Sequence, residues 1–404
     1  MVSGSDSLAW VGMDNQLYVR DGQGVRRVTW PTGPGPSSGW GVSDKGNACS
    51  WPCWSPDRRW LACFHRSIDH DSAVCEVSLD VIEVDGVEER RLAAFQGRLP
   101  IYAQWSPSGE QIAVLCQDED ELLLSICEME ELGRCRDVES GAPLFFSWMP
   151  DKEGLLVHVG SRMTETSRVV VRQPSEGEDV LITDQPGAFC TPLILQGKPL
   201  YVVAQGGNSR LRMAALSSSV ARCEDDDQDL FDFDGLVAMV PSPRRGQIAA
   251  ASAKRGEGTP YDGVWVLEPG ASAIKVWDAP CMAFFWTPDG SRLLIASLAP
   301  EEGHVTWDLI DVQSLESRTL CRFWPSRDEL FFLHFFEQFT ESHPPISADG
   351  RTLVFSGRLD LNHVVEQEQP GVPKVMTIDL DGEQTAPCVV AAGIFGVFPP
   401  WSKG

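Results

Sequence analysis

One short phrase recurs along this chain: an aromatic residue, then Ser/Thr-Pro-Asp-Gly or a variant of it, then an apolar run. Copies begin at Trp54 (WSPDRRWLACF), Trp105 (WSPSGEQIAVLC), Trp148 (WMPDKEGLLVHV), Trp286 (WTPDGSRLLIAS) and Ile346 (ISADGRTLVFSG), with a weaker copy, VPSPRRGQIAAAS, at Val240. A repeat of about 40–50 residues indicates an array of units, each of which buries its apolar face only against its neighbours. The repeat therefore restricts the fold before composition is considered.

Each copy of the phrase predicts a β-hairpin. Proline presets φ at the second turn position, Asp and Gly supply the remaining turn conformations, and the flanking apolar runs form the strands. A third strand of alternating apolar residues follows, as in VSLDVIEVDG from Val77, WDLIDVQS from Trp307 and KVMTIDLDG from Lys374. Four short strands per unit are typical of the blades of a β-propeller.

The two ends of the chain affect the blade count. Complete units span about 51–97, 100–138, 143–183, 238–278, 281–321 and 344–390, and segment 187–223 has the strand pattern without the turn. The segment from Ser7 lacks an inner strand, whereas FGVFPPWSKG at the carboxyl end resembles an inner strand without its blade. Pairing these ends removes exposed sheet edges. We therefore expect one all-β domain over residues 1–404, a single eight-bladed β-propeller closed by its terminal strands, with seven blades as the alternative.

Composition narrows the class of partner and the compartment. The net charge of −25 disfavours nucleic acid, because a phosphate backbone requires a basic surface. No apolar stretch reaches the roughly 18–20 residues that span a bilayer, so no membrane insertion is expected. The amino end lacks a secretion signal, which predicts a cytoplasmic protein, although a mature exported protein without its signal would look the same.

The cysteines and the acidic runs both have simple interpretations. The chain has 12 cysteines and no C-x-x-C pair, and most of them, including Cys63, Cys116 and Cys127, sit singly in predicted strands, so we expect free thiols. Acidic runs begin at Gln117 and Glu224 and predict solvated loops. The alternative for these runs is a docking patch for a basic partner or a weak cation site.

The repeated phrase, with the apolar strand behind it, resembles the repeat of TolB-like β-propellers, which also form the propeller of prolyl-oligopeptidase-type enzymes. The resemblance covers nearly the whole chain. It implies a protein-binding module, a lid over a hydrolase domain or, less often, an enzyme with a site in the central channel. No segment is left over for an α/β-hydrolase domain, and the G-x-S-x-G around Ser37 lies in a Pro/Gly loop instead of a strand–helix turn.

Residues 323–345, FWPSRDELFFLHFFEQFTESHPP, break the repeat between the seventh and eighth units. Ser326 and Glu329 have the spacing of a capping box and predict a helix of about four turns that is apolar on most sides. Two roles remain open for this helical insertion. It either plugs a wide central channel, or it caps the channel mouth and directs His334, Glu337, Gln338, Glu341 or His343 toward a ligand.

The candidate binding residues gather on one face of the predicted propeller. This loop-rich face consists of the loops between the second and third strands of each unit together with the crossings between units. Its candidate residues are His65, His70, Arg162, Arg255, His304, His334, Gln338, His343 and His363. Within HRSIDHD, the side chains of His65, Asp69 and His70 are also a candidate site for a divalent transition metal, and no other cofactor is expected.

Two functions from different classes follow. The first is a non-catalytic propeller that binds a protein or peptide, a basic one in keeping with the acidic surface, through the loop-rich face. The second is a lyase- or cyclase-type enzyme that acts on a small molecule in the central channel beneath the helix at 326–343, with His343 and Glu337 as catalytic candidates. The lack of a nucleophile motif in its proper context favours the first.

Overall fold

The computed structural model describes most of the chain. The described residues are 7–29, 48–68, 75–86, 88–150, 154–160, 166–173, 178–187, 190–205, 208–216, 224–253, 260–299, 301–359, 371–382 and 386–401. Among them, no helix combines the length and apolarity that a membrane span requires.

Antiparallel β-strands dominate the structure. Three strands open the chain: β1 (Leu8–Gly12), β2 (Leu17–Asp21) and β3 (Gly24–Arg27). Five four-stranded sheets come next, each with its strands in chain order. They are β4 (Ala48–Trp54) to β7 (Glu89–Phe95) with β5 (Trp60–Ile68) and β6 (Cys75–Glu83) between; β8 (Leu99–Trp105), β9 (Gln111–Asp118), β10 (Glu121–Glu128) and β11 (Cys135–Gly141); β12 (Leu144–Trp148), β13 (Leu155–Gly160), β14 (Ser167–Arg172) and β15 (Val180–Thr183); β16 (Leu193–Leu195), β17 (Lys198–Gln205), β18 (Asn208–Met213) and β19 (Gln228–Phe233); and β20 (Leu236–Pro241), β21 (Ile248–Ala253), β22 (Val264–Leu267) and β23 (Ile274–Trp277).

The remaining strands join the two ends of the chain. They are β24 (Ala283–Trp286), β25 (Arg292–Ala299), β26 (His304–Asp311), β27 (Ser317–Pro325), β28 (Thr352–Leu359), β29 (Lys374–Asp379) and β30 (Cys388–Val397). Strand β30 pairs with β29 through its first half and with β1 through its second half, where Val397 lies opposite Ala9. The predicted pairing of the terminal strands is therefore present, and it links β24–β30 with β1–β3 into one ten-stranded sheet.

The segment without the turn phrase also forms a complete four-stranded sheet, β16–β19, but its last strand lies later than predicted. That strand falls within the acidic run from Glu224, so the prediction of a solvated loop is wrong for this run. Asp229 and Asp232 pair with Arg210 of β18, and buried Asp227 accepts a hydrogen bond from the Tyr201 hydroxyl. Cross-strand ion pairs of this kind neutralise the acidic strand.

The repeated tryptophan connects neighbouring sheets. In the four copies that begin with Trp, the indole N–H donates to a backbone carbonyl on a strand of another sheet, and Trp401 donates in the same way to the Ile346 carbonyl. The repeat phrase therefore encodes contacts between units as well as turns. The pairs are Trp54 with Val397 (3.2 Å), Trp105 with Cys53 (3.1 Å), Trp148 with Gln104 (3.1 Å), Trp286 with Val240 (2.9 Å) and Trp401 with Ile346 (2.8 Å).

The turn chemistry of the phrase is as predicted. In the copy at Trp54, the Ser55 hydroxyl donates to Asp57 at 2.5 Å and accepts from the Trp60 backbone N–H at 2.9 Å. The glycine position of the phrase has φ +76° at Gly109, and Arg58 occupies the same position with φ +64°. A left-handed conformation is unfavourable for a residue with a Cβ, so Arg58 carries backbone strain.

We expect Arg58→Gly to raise the free energy of unfolding by about 0.5–1 kcal/mol, because relief of the left-handed strain outweighs the added freedom of the unfolded chain. Gly109→Ala is the matched reverse change. Its new Cβ would meet only Pro56 Cδ, at 3.7 Å, so it adds strain without a clash and should destabilise by about 1 kcal/mol. Urea unfolding of both variants measures this, and shifts of the same sign would contradict it.

One cysteine prediction is wrong. Cys127 forms a disulfide with Cys135, the residue directly opposite it on strand β11. Antiparallel pairing places the two Cα atoms 4.3 Å apart, so the eight-residue spacing across the hairpin brings the thiols together. Cys63 and Cys116 are free and buried, as expected.

Strand β28 pairs with two segments of the chain, one before the helical insertion and one after it. Phe323 and Pro325 pair with Leu359 and Gly357, and Ile346 bridges to Leu353 further along the same strand. Backbone hydrogen bonds continue this pairing up to Ser326 and resume at Pro345. The chain therefore leaves the sheet after Ser326 and returns to it at Pro345. From here on, the insertion means residues 327–344, which lie between these two points.

Candidate functional site

The insertion packs against the first strands of several sheets. Helix α1 (Arg327–His334) begins at the N-cap Ser326, whose hydroxyl accepts from the Glu329 backbone N–H at 3.1 Å. A break at Phe335 separates it from α2 (Phe336–Phe339). The predicted helix start is correct, but the single helix of four turns is not, because the chain bends so that both short helices reach the surrounding strands.

Aromatic side chains form most of this packing. Phe339 stacks on Trp51 of β4 with ring centroids 5.1 Å apart, and Phe332 stacks on Phe285 of β24 at 5.4 Å. Phe336 is fully buried, and its ring meets the edge of another phenylalanine on β24. The buried part of the apolar circumference predicted for this segment thus contacts strands that lie far apart in the sequence, whereas Leu330 and Phe335 are exposed.

Gln338 attaches the insertion to strand β12. Its amide group accepts from the Phe146 backbone N–H at 3.4 Å and donates to the Phe146 carbonyl at 2.8 Å, as a paired strand residue would. The backbone carbonyl of Gln338 accepts from the Tyr102 hydroxyl of β8 at 2.7 Å. Gln338 is buried, so this candidate binding residue holds the insertion in place and is not displayed on a surface.

Glu337 makes a similar attachment to strand β20. The Oε1 atom of its carboxyl group accepts from the Met239 backbone N–H at 2.9 Å. Burial raises the pKa of Glu337 to about 8, and the hydrogen bond from Met239 only partly opposes that shift. The Glu337 carboxyl group therefore carries a proton at neutral pH.

His343 lies at the end of the insertion and is buried. Its Nδ1 is 2.8 Å from the Ser342 hydroxyl, which is in turn 2.8 Å from the Tyr102 hydroxyl. Burial lowers the pKa of His343 to about 3, against an opposing effect of the Pro52 carbonyl, so the imidazole is neutral at physiological pH. Aromatic rings, among them Trp51, Tyr102 and Phe339, surround the imidazole.

Glu329 is a buried acid that the sequence assigned only to the helix start. Instead of completing the capping box, its Oε2 atom accepts from the Ser356 backbone N–H at 3.0 Å and from the Ser356 hydroxyl at 3.1 Å. Burial raises the pKa of Glu329 to about 8, and the neighbouring Asp328 acts in the same direction. The signal available in the sequence was a glutamate directly before the apolar run that begins at Leu330.

The three other candidate histidines that the structure describes have local partners. His65 Nδ1 lies 2.9 Å from the buried carboxylate of Asp80 on the adjacent strand β6. His304 is buried at the start of β26, with its Nδ1 3.1 Å from Glu302. His334 ends α1 on an exposed position, where its ring packs edge-on against Phe335. Each of these three imidazoles therefore contacts a residue of its own hairpin or helix.

Several predicted site residues lie outside the described residues. These are Asp69, His70, Arg162, Arg255 and His363. Among the residues that the structure describes, no group of three or more His, Cys, Asp or Glu side chains is arranged to hold a metal ion. The metal candidate at His65, Asp69 and His70 stays a prediction.

Comparison with known proteins supports the fold. No protein-family model matches the sequence, and no curated protein sequence matches it significantly. Similar solved structures include an oligogalacturonate lyase in complex with manganese (12% identity, TM-score 0.51, covering 82% of this chain and 84% of that one). TolB from Acinetobacter baumannii (14% identity, TM-score 0.40, 85% and 83% covered) and the β-propeller domain of the Trilobed protease from Pyrococcus furiosus (12% identity, TM-score 0.49, 85% and 98% covered) are also similar.

The chain therefore has a β-propeller fold, as its four-stranded antiparallel sheets and the similarity to the oligogalacturonate lyase structure indicate, and the fold predicted from the TolB-like repeat is confirmed. At identities of 9–14% the similar structures carry no further conclusion, because one propeller fold hosts many functions.

Proposed function

We propose that this chain is a non-catalytic, eight-bladed β-propeller that binds a protein or peptide through its loop-rich face. Five blades correspond to the five four-stranded sheets. The ten-stranded sheet divides into three more: β24–β27, then β28 and β29 with the first half of β30, and finally β1–β3 with the second half of β30. In this arrangement β30 closes the ring.

The observation that carries the proposal is the packing of the insertion against the first strands of several sheets. Hydrogen bonds join three residues of the insertion to three strands: Gln338 to β12, Glu337 to β20, and Ser342 to β8. His343 lies beside Ser342. The groups that a channel enzyme would use for acid–base chemistry thus act as attachments between the insertion and its surroundings. This supports the plug over the cap and leaves the outer loops as the binding surface.

The β9–β10 hairpin is the described part of the loop-rich face with the clearest charge. Glu119, Asp120 and Glu121 are exposed there, whereas Asp118 pairs with Arg98. A basic segment of a partner would be attracted to this hairpin, since charge complementarity mainly sets association rate and specificity.

We expect neutralisation of the hairpin by Glu119→Gln, Asp120→Asn and Glu121→Gln to weaken binding of a basic peptide ligand by about tenfold, because each charge lost at the rim of an interface costs a fraction of a kcal/mol. The ligand would be selected from an array of lysine-rich, neutral and acidic peptides, and its affinity measured by titration calorimetry at two salt concentrations.

Glu130→Gln with Glu131→Gln is the matched control. Both residues are exposed in the turn between β10 and β11, at the opposite end of the same sheet. Equal loss of affinity in both variants, or selection of acidic peptides, would contradict binding of a basic partner at the loop-rich face. Turnover of a small molecule that stops in His343→Ala would favour the enzyme instead.

A further inference from the structure

Two residues of the insertion that each have a buried polar atom without a hydrogen-bond partner line the same small cavity. Glu329 is 3% exposed and His343 is 2% exposed. Among the described residues, Glu329 Oε1 and His343 Nε2 have no hydrogen-bond partner. Both residues line a cavity of about 10 Å³ whose other walls are Phe332, Pro345, Val354, Phe395 and Gly396. A buried polar atom without a partner costs roughly 1–3 kcal/mol, so two at one cavity require an explanation.

The hydrogen bonds on the histidine side fix which ring nitrogen carries the proton. The Gln338 carbonyl can only accept, so the Tyr102 hydroxyl donates its single proton there. The only assignment that keeps all three short contacts as hydrogen bonds has the Ser342 hydroxyl donate to the Tyr102 oxygen, and not to the Phe339 carbonyl 3.4 Å away. His343 Nδ1–H then donates to the Ser342 oxygen. In a neutral imidazole this leaves Nε2 with a lone pair, so His343 presents an acceptor to the cavity.

The hydrogen bonds on the glutamate side lead to the opposite polarity. Glu329 Oε2 already accepts from the Ser356 backbone N–H and hydroxyl. Ser356 Oγ is in turn 2.7 Å from the Ser326 hydroxyl and accepts from the Phe395 N–H at 3.2 Å. The proton of the neutral Glu329 carboxyl group therefore sits on Oε1, the oxygen without other partners. Glu329 presents a donor to the cavity.

We propose that this cavity is a binding site for one water molecule, which accepts a hydrogen bond from Glu329 Oε1–H and donates one to His343 Nε2. A water molecule combines donor and acceptor on one atom, as the site demands, and a cavity of about 10–15 Å³ holds one. The apolar walls exclude a larger polar ligand.

The bound water completes a chain in which every hydroxyl or ring donor points the same way. The chain runs from Ser326 through Ser356 and Glu329 to the water, and then through His343, Ser342 and Tyr102 to the Gln338 carbonyl. It links β28 to β8 across the insertion. Hydrogen bonds in such a chain polarise one another, so the water strengthens the attachment of the insertion.

A crystal structure of the full chain at about 1.5 Å tests the proposal, since ordered buried water is visible in crystals at such resolution. We expect one density peak within hydrogen-bonding distance of both Glu329 Oε1 and His343 Nε2. Absence of a peak, or a direct bond between the two side chains, would overturn the proposal.

Two substitutions test the donor and acceptor assignments. Glu329→Gln can place an amide N–H where the acid proton lies, so we expect it to keep the water. Its urea midpoint at pH 7 should rise, because the amide, unlike Glu329, takes up no proton on folding. His343→Leu removes the acceptor and should lose both the water and part of the stability. His334→Leu, at an exposed position of α1, is the control and should leave the midpoint unchanged. Loss of the water in Glu329→Gln would show that an ionised carboxylate holds the site.

Discussion

Replacing Phe339 with alanine is expected to lower the free energy of unfolding by about 3–5 kcal/mol, the range for removal of a buried aromatic ring. Phe339 is 2% exposed. Its ring stacks on Trp51, lies edge-on to Tyr102 with centroids 5.0 Å apart, and contacts His343 at 5.3 Å. The substitution leaves a cavity between two sheets and the insertion, and rigid strands on both sides limit its collapse.

Phe335→Ala is the matched comparison within the same segment. Phe335 is 39% exposed, so its loss should cost about 1 kcal/mol or less. Urea unfolding followed by tryptophan fluorescence measures both changes, provided that each variant unfolds in one step. Similar costs for the two variants would mean that the insertion is a surface addition and does not belong to the core.

The sequence was sufficient to predict the repeating architecture because its determinants are local. Ser55 and Asp57 form their turn within a few residues of each other, and the same holds for Thr287 and Asp289. The pairing of β30 with β1 also followed from the sequence, since each end of the chain lacks what the other supplies.

The errors arose where one strong local signal concealed another. The run from Glu224 is rich in acid, but Leu230, Phe231 and Phe233 are interspersed with its aspartates. Arg210 and Arg212 of β18 pair with Asp229 and Asp232. Cys127 and Cys135 flank a hairpin turn at equal distances, which the count of single cysteines did not consider. Both errors arose because we did not consider which residues lie opposite each other on adjacent strands.

The role of the insertion was not predictable, because it depends on contacts between residues far apart in the chain. The bond from Tyr102 to Gln338 spans 236 residues, and that between Gln338 and Phe146 spans 192. Residue type alone made His343 and Glu337 candidates for acid–base chemistry. Burial and neighbouring donors decide what they do, and neither can be deduced from a single sequence.

Two carboxyl groups of the insertion, those of Glu329 and Glu337, predict an unusual dependence of stability on pH. Glu329 and Glu337 have ordinary pKa values of 4.5, and burial raises both to about 8 in the folded protein. The folded state therefore keeps protons that the unfolded state releases above pH 4.5. Their contribution to stability is complete below pH 4.5 and is lost as pH rises through 8, because stability falls with pH wherever the folded state binds more protons.

The clearest window lies between pH 6.5 and 8. His343 does not contribute there, since its pKa is lowered from 6.5 to about 3 and its own effect appears only as pH falls below 6.5. Over this window Glu329 alone should lower the free energy of unfolding by about 2 kcal/mol, at about 1.4 kcal/mol for each pH unit. Glu337 acts in the same direction.

Glu329→Gln should flatten this slope by about half, because the amide mimics the protonated acid and does not titrate, so only the Glu337 contribution remains. Urea unfolding at half-unit steps from pH 6.5 to 8 measures the slope. Glu130→Gln, at an exposed turn, should leave it unchanged. An unaltered slope in Glu329→Gln would mean that Glu329 is already ionised in the folded protein, and the buried carboxylate would then need a positive partner that the hydrogen bonds from Ser356 do not supply.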